Sequence, residues 1–94
     1  MVEVVGGSAV ALIKATEVAV AVGPVGQLSI RNKFPATVSA VEHGAVMTTV
    51  KLTLKSGRPL VAAVTREAAE ELGLVDGTEV TALVKSTDVS VAAV

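Results

Sequence analysis

The chain has 94 residues, a formal net charge of −1 at pH 7, no cysteine, and Phe34 as its single aromatic residue. This length fits one small domain or slightly more. The absence of cysteine excludes disulfides and thiolate metal sites, and the charge argues against a nucleic-acid partner bound through its phosphates. Because valine and alanine must supply most of the core, we expect assembly with a partner to add burial.

The longest uncharged stretch, residues 18–30, is interrupted by Gly23, Pro24 and Gly26. It is too short and too broken to span a bilayer, and the first residues lack the basic and apolar regions of a signal peptide. The sequence therefore predicts a soluble cytoplasmic protein with no membrane partner.

Valine, isoleucine and threonine predominate, which favours strands, and glycine-containing turns separate the segments. In chain order we predict a strand over 8–14, a short extended piece over 18–22, a turn or linker at 23–26, and a second extended piece over 28–31. A strand over 36–42 follows, with Ala36, Val38, Ala40 and possibly Glu42 on one face. A hairpin turn at 43–45 and a strand over 46–54 follow, with Val46, Thr48, Val50, Leu52 and Leu54 on one side. A turn at 56–59 and a strand over 60–64 come next.

One short helix is predicted after residue 64. Thr65 is a good N-cap, and Glu67 suits the positive end of the helix dipole. Gly73 occupies the position that needs a left-handed backbone after the helix, and a last strand is predicted over 78–84 after a turn at Asp76 and Gly77. Several short strands with one short helix indicate a mainly β, OB-like Greek-key barrel.

A repeat gives the domain organisation. Residues 11–20 recur as residues 82–91, with six of ten positions identical, and the matched positions include Lys14 with Lys85 and Thr16 with Thr87. We interpret residues 1–22 as the closing strands of a preceding barrel unit, residues 23–26 as a turn or linker, and residues 27–94 as one complete unit. Such incomplete units need neighbours to bury their faces.

Residues 27–94 resemble a molbindin, or Mop domain, of the TOBE-related molybdate-binding group. The motifs are Leu28–Phe34, His43–Val46, Ala62–Leu74 and Asp76–Val89, in the family's order and near its spacing. The resemblance implies an OB-like fold and binding of molybdate or tungstate, without an organic cofactor, at subunit interfaces of a homo-oligomer (dimer, trimer or hexamer).

The resemblance also implies a set of oxyanion-binding residues. Hydroxyls, backbone amides and a few cations suit a tetrahedral dianion. The candidates are Ser29, Ile30, Arg31, Lys85, Ser86 and Thr87, with Lys14 and Thr16 as the repeated set and Thr65 as a further contact. Ser29 and Arg31 of one unit are expected to face Lys85 and Ser86 of another. Five of them have plainer explanations: solvated strand-end charges for Lys14 and Lys85, the start of a strand for Ser29, a surface ion pair for Arg31, and a helix cap for Thr65.

A second anion site is implied at the backbone amides of Gly44, Ala45 and Val46. The chain departs from the family pattern here and elsewhere: Met47 replaces an asparagine, Ala68 replaces a serine and Ile30 replaces an alanine. Met47 weakens the expectation of a second site, Ala68 weakens that of the Thr65 contact, and the larger side chain of Ile30 is expected to narrow the main site.

Two functions follow from these observations. The first is an intracellular molybdate- or tungstate-binding protein for storage, homeostasis or sensing. The alternative is an oligomerisation or regulatory module of a molybdate-responsive regulator or importer ATPase, with weak or no anion binding. We predict no enzyme, since no nucleophile, base or cofactor constellation is recognisable, and the lone His43 lacks companion metal ligands.

Overall fold

A computed structural model describes residues 2–6, 9–30, 32–85 and 89–93, with the side chains of 13–30 and 32–85. Within these ranges the elements are β1 (Val2–Gly6), β2 (Ala9–Ile13), a 3-10 helix (Ala15–Glu17), β3 (Ala19–Ala21), β4 (Asn32–His43), β5 (Met47–Leu54), β6 (Pro59–Thr65), α1 (Arg66–Glu71), β7 (Glu79–Val84) and β8 (Val89–Ala93).

Five strands form one antiparallel sheet in the order β3-β7-β4-β5-β6. The sheet curls until β6 contacts β3 and the 3-10 helix, so its two edges meet. The predicted OB-like barrel with one short helix is therefore confirmed.

Alternation along β5 and β6 builds the core of this barrel. Thr48, Val50, Leu52 and Leu54 are buried while most residues between them face outwards, as the period of two predicts. Val46, expected on the same face, is 70% exposed because it belongs to the turn before β5. Small aliphatic side chains from the neighbouring strands fill the remaining space.

A β-bulge in β4 changes the predicted pattern of that strand. Val38 pairs with Leu52, but Ala40 pairs with Lys51, so Ser39 is an extra residue. Its hydroxyl donates to the Lys51 carbonyl at 3.1 Å. The inward face consequently shifts by one residue after the bulge, so that Val41 packs against the core. Glu42, predicted as a possible member of the face of Ala36 and Val38, is exposed.

A second sheet has three strands in the order β1-β2-β8. The chain-order prediction lacked β1, β8 and the 3-10 helix. The predicted extended piece over 28–31 was also wrong for residues 28–30, which lie outside any strand. The next strand, β4, begins at Asn32, four residues before the predicted start. Residue 31 lies outside the described residues.

Among the described residues, no helix is long and apolar enough to cross a membrane.

Replacing Leu52 by alanine should lower the free energy of unfolding by about 2–5 kcal/mol, because Leu52 is 1% exposed in the centre of the barrel. Urea denaturation followed by circular dichroism measures this change. The neighbouring exposed Thr53→Ala is the matched control and should cost less than about 0.5 kcal/mol. Equal losses in the two variants would contradict this assignment of the core.

Candidate functional site

Three candidate segments reach the same end of the barrel. Asn32 pairs with Val84, so residues 29 and 30, which precede β4, and Lys85, which follows β7, lie beyond the same end of that strand pair. On the other side of β7, Ala19 pairs with Leu83, which brings the connection 14–18 to this end as well. We call this region, marked by Lys14, Lys33 and Lys85, the lysine end.

Side chains at the lysine end are accessible to a ligand. Lys14, Thr16, Ser29 and Lys85 are exposed, and Ile30 is half-buried. The structure therefore brings the described members of the main predicted set to one end of a single chain.

Part of the predicted main set cannot be placed. Arg31, Ser86 and Thr87 lie outside the described residues. That they contact an oxyanion, and that they do so across two units, stays a prediction.

Lys33 is a candidate that the sequence motif did not single out. It is exposed near the start of β4, paired in register with Leu83, and lines an open depression of about 480 Å³ with Gly26, Gln27 and Leu28. Only the pairing of β4 with β7, which sets Lys33 opposite Leu83, shows that Lys33 lies beside the end of β7. Lys33 adds a third cation to the lysine end, after Lys14 and Lys85. Among the residues described there, Glu17 is acidic.

The second predicted site lies at the opposite end of the long strand β4. His43 is the last residue of β4, and Met47 pairs with Thr65, so the turn 44–46 lies beside the start of α1. We call this region, residues 44–46 with Thr65, the turn end. Eleven strand steps separate the two ends, on the order of 30 Å.

Arg66 holds the turn of residues 44–46 in place. Its backbone amide donates to the Val46 carbonyl at 2.7 Å, and its guanidinium Nη1 donates to the Gly44 carbonyl at 3.3 Å. Gly44 in turn donates to the Met47 carbonyl at 2.7 Å. In the described part of the chain, the amides of Ala45 and Val46 have no acceptor, so they are the donors that this turn offers to a ligand.

Thr65 is the N-cap of α1. Its hydroxyl oxygen accepts a hydrogen bond from the Ala68 amide at 3.1 Å, which confirms the predicted cap. Its hydroxyl proton is not needed for the cap, so the predicted ligand contact remains compatible with this role.

The charges at the turn end oppose binding of a dianion. The open cleft there, of about 630 Å³, is lined by Arg66 together with Glu67, Glu70 and Glu71. Arg66 Nε also lies 3.6 Å from a Glu70 carboxylate oxygen. One guanidinium faces three carboxylates, so the second site, which stays a prediction, would need cations from elsewhere.

His43 contributes to the hairpin and not to a described metal cluster. Its Nδ1 lies 2.9 Å from the hydroxyl of Thr48, which is fully buried. No group of three or more metal-ligating side chains occurs among the residues described here.

Comparisons with known proteins agree with this architecture. The family model of the TOBE domain matches residues 28–91. The chain belongs to the TOBE domain family. The match covers β4 to β7 and the first part of β8, and it includes all of the unit predicted at residues 27–94 except residue 27 and residues 92–94.

Two curated relatives place the chain in the molbindin, or Mop, branch of this family. Molybdenum-pterin-binding protein 3 of Clostridium pasteurianum is 38% identical over 66 residues, which are 70% of this chain and 97% of that protein. The molybdenum transport protein ModE of Herbaspirillum seropedicae is 43% identical over 89 residues, 94% of this chain. The chain spans only a third of that longer relative (33%).

A solved structure supports the fold in detail. The cytoplasmic molybdate-binding protein ModG, in a crystal form with molybdate bound, superposes with a TM-score of 0.87 at 37% sequence identity. The superposition covers 92% of this chain and 62% of ModG.

Replacing Thr65 by alanine should lower the free energy of unfolding by about 1 kcal/mol, because the Ala68 amide loses its cap. Thr65→Ser retains an oxygen acceptor and should restore most of the loss. Urea denaturation measures both variants. A Thr65→Ser protein as unstable as Thr65→Ala would show that the hydroxyl does not stabilise α1.

Proposed function

We propose that this domain binds molybdate, or tungstate of the same charge and shape, at the lysine end. The observation that carries the proposal is the register of β7 with β3 and β4, which collects Lys85, Ser29 and the segment of Lys14 and Thr16 at one end of the barrel. Similarity to molybdate-binding ModG and to a molybdenum-pterin-binding protein supports this ligand class.

The residues at this end suit a tetrahedral dianion. An ammonium group such as that of Lys85 supplies charge and three donors, and the Ser29 hydroxyl supplies another donor. Hydrogen bonds that involve a charged donor or acceptor are roughly twice as strong as neutral ones. Because hydroxyls and backbone amides can share the binding with the lysines, complete neutralisation of the dianion is unnecessary.

A second subunit would complete the site. Lys14, Ser29 and Lys85 are exposed, so a single chain covers only one side of a bound anion. We infer that a homo-oligomer encloses the anion at a subunit interface, where exclusion of water strengthens each charge-assisted hydrogen bond. The interface would also cover apolar surface that this small chain leaves exposed.

Molybdate binding fits a role in cytoplasmic molybdenum storage, homeostasis or sensing. Because the chain spans only a third of the ModE relative, a regulatory or transport role of a longer protein belongs to the same proposal. The alternative, an oligomerisation module with little anion binding, predicts an assembly that is unaffected by molybdate.

Isothermal titration calorimetry with molybdate, tungstate and sulfate tests the proposal. We expect saturable binding of the first two anions and much weaker binding of sulfate, because a smaller anion leaves the donors too far apart. Lys85→Ala should weaken molybdate binding by roughly 10-fold or more through loss of a charge-assisted hydrogen bond.

Lys51→Ala is the charge-matched control. Lys51 pairs with Ala40, eight residues along β4 from Asn32, and forms an exposed ion pair with Glu42 at 3.3 Å. Its removal should leave molybdate affinity within about 2-fold, since exposed ion pairs contribute little. No binding of any anion by folded protein, or equal losses in the two lysine variants, would refute the proposed site.

A further inference from the structure

The hairpin between β5 and β6, residues 55–58, carries two cations close to the lysine end. The Lys55 amide donates to the Pro35 carbonyl at 2.9 Å, and the Gly57 amide donates to the Leu54 carbonyl at 2.8 Å. These backbone bonds hold the hairpin beside the first part of β4. Lys55 and Arg58 are exposed on either side of the turn, and we call residues 55–58 the cationic hairpin.

The cationic hairpin lies near the lysine end but not within it. Pro35 is three residues from Asn32, the start of β4, which corresponds to about 10 Å along the strand. Lys85 follows β7, which lies on the other side of β4 from β5, so two strand spacings add about 10 Å across the sheet. The resulting separation of roughly 14 Å between Lys55 and Lys85 favours an effect through charge and not through a shared hydrogen bond.

Charge is divided unevenly between the two ends of the barrel, although the chain as a whole has a net charge of only −1. Seven of the eight basic residues have described side chains, and five of these lie at the lysine end or on the cationic hairpin: Lys14, Lys33, Lys55, Arg58 and Lys85. The acidic side chain described in the same region is Glu17. Most acidic side chains lie instead at the end of β4 or on α1, namely Glu42, Glu67, Glu70 and Glu71.

The ion pairs make this division sharper. Those formed among the described residues are Lys51 with Glu42, at 3.3 Å, and Arg66 with Glu70, at 3.6 Å. Both belong to the acidic part of the molecule. Within the described part of the chain, the cations of the lysine end and of the cationic hairpin have no carboxylate partner, so their charge is not neutralised locally.

Two further carboxylates lie between these regions. Glu79 begins β7 opposite the middle of β4, and Asp76 precedes Gly77, whose amide donates to the Val38 carbonyl at 2.8 Å. Glu79 and Lys55 line the same open depression of about 490 Å³, on opposite sides of β4, without forming an ion pair. Glu79 therefore reduces the positive charge beside the hairpin but does not cancel it.

We propose that Lys55 and Arg58 are positioning residues that attract the oxyanion to the lysine end without contacting it. The inference rests on the proposed binding of molybdate there. Together with Lys33, which lies between the hairpin and Lys85, they extend the positive surface along the direction from which an anion approaches. Surfaces of one sign raise the local concentration of ligands of the opposite sign.

An effect of this kind differs from a contact in its dependence on salt. At roughly 14 Å in water and low ionic strength, each unit of charge changes the affinity for a dianion by about 2-fold. At 0.5 M salt the Debye length is about 4 Å, so the effect disappears. A hydrogen-bonded cation such as Lys85 is screened much less, because the anion is in direct contact with it.

Isothermal titration calorimetry of the full chain with molybdate, at ionic strengths of 10 mM and 0.5 M set with sodium chloride, tests the proposal. Combined Lys55→Glu and Arg58→Glu should weaken binding by about 10-fold at 10 mM and by less than 2-fold at 0.5 M. Lys85→Ala should weaken binding at both ionic strengths. Circular dichroism checks that the variants are folded, which we expect because the hairpin is held by backbone hydrogen bonds.

Lys51→Glu is the matched control for Lys55→Glu, since both lie on the exposed face near β5 and both substitutions change the net charge equally. Lys51 pairs with Ala40, eight residues from Asn32, so its charge is much farther from the lysine end. At 10 mM ionic strength we expect Lys55→Glu to weaken binding by about 3-fold and Lys51→Glu by less than 2-fold.

The outcomes separate this inference from the proposed function. Molybdate binding that Lys55→Glu and Lys51→Glu weaken equally would overturn the inference and leave the proposed function in place. A loss in the double hairpin variant that persists at 0.5 M salt would also overturn it, because it would indicate a direct contact or a structural role. A folded natural chain that binds no anion at either ionic strength would refute the proposed function, and the inference with it.

Discussion

The antiparallel pairing of β7 with β3 on one side and β4 on the other is the constraint on which the rest of the structure depends. It joins β3, from the N-terminal part of the chain, to the strands that follow residue 32, and it sets which loops meet at the lysine end. The side chains of β7 are also buried at Val80, Ala82, Leu83 and Val84, so this strand is central both to the sheet and to the core. Val80, Ala82 and Val84 share one face of the strand, so a shift of one residue in its register would turn these three side chains away from the core.

The distribution of charge makes the two ends of the barrel chemically different. The lysine end has three exposed ammonium groups among its described residues, whereas the cleft at the turn end has one guanidinium and three carboxylates. Both ends offer hydrogen-bond donors, but among the described side chains positive charge predominates at the lysine end and negative charge at the turn end. Backbone amides at a turn are therefore an incomplete criterion for an anion site when the surrounding side chains are acidic.

Several parts of the fold followed from local chemistry. The alternation in β5, the Thr65 cap and the left-handed Gly73, with φ of 66°, depend on residues close in sequence, so their patterns were sufficient. The bulge at Ser39 did not follow, because its hydroxyl bonds to a carbonyl on the next strand. β1 did not follow either, because its position comes from pairing with β2 and not from its own residues.

The sequence by itself determined the composition of the core, the family, and the types of side chain available to bind an oxyanion. Its repeat also indicated that residues 11–20 and 82–91 are equivalent. Only the tertiary structure decided that these copies lie against each other, that Lys33 joins Lys14 and Lys85, and that Glu67, Glu70 and Glu71 surround the other candidate site. The physical reason is that strand register and the charge around a site arise from residues far apart in the chain, whereas capping and alternation arise from neighbours.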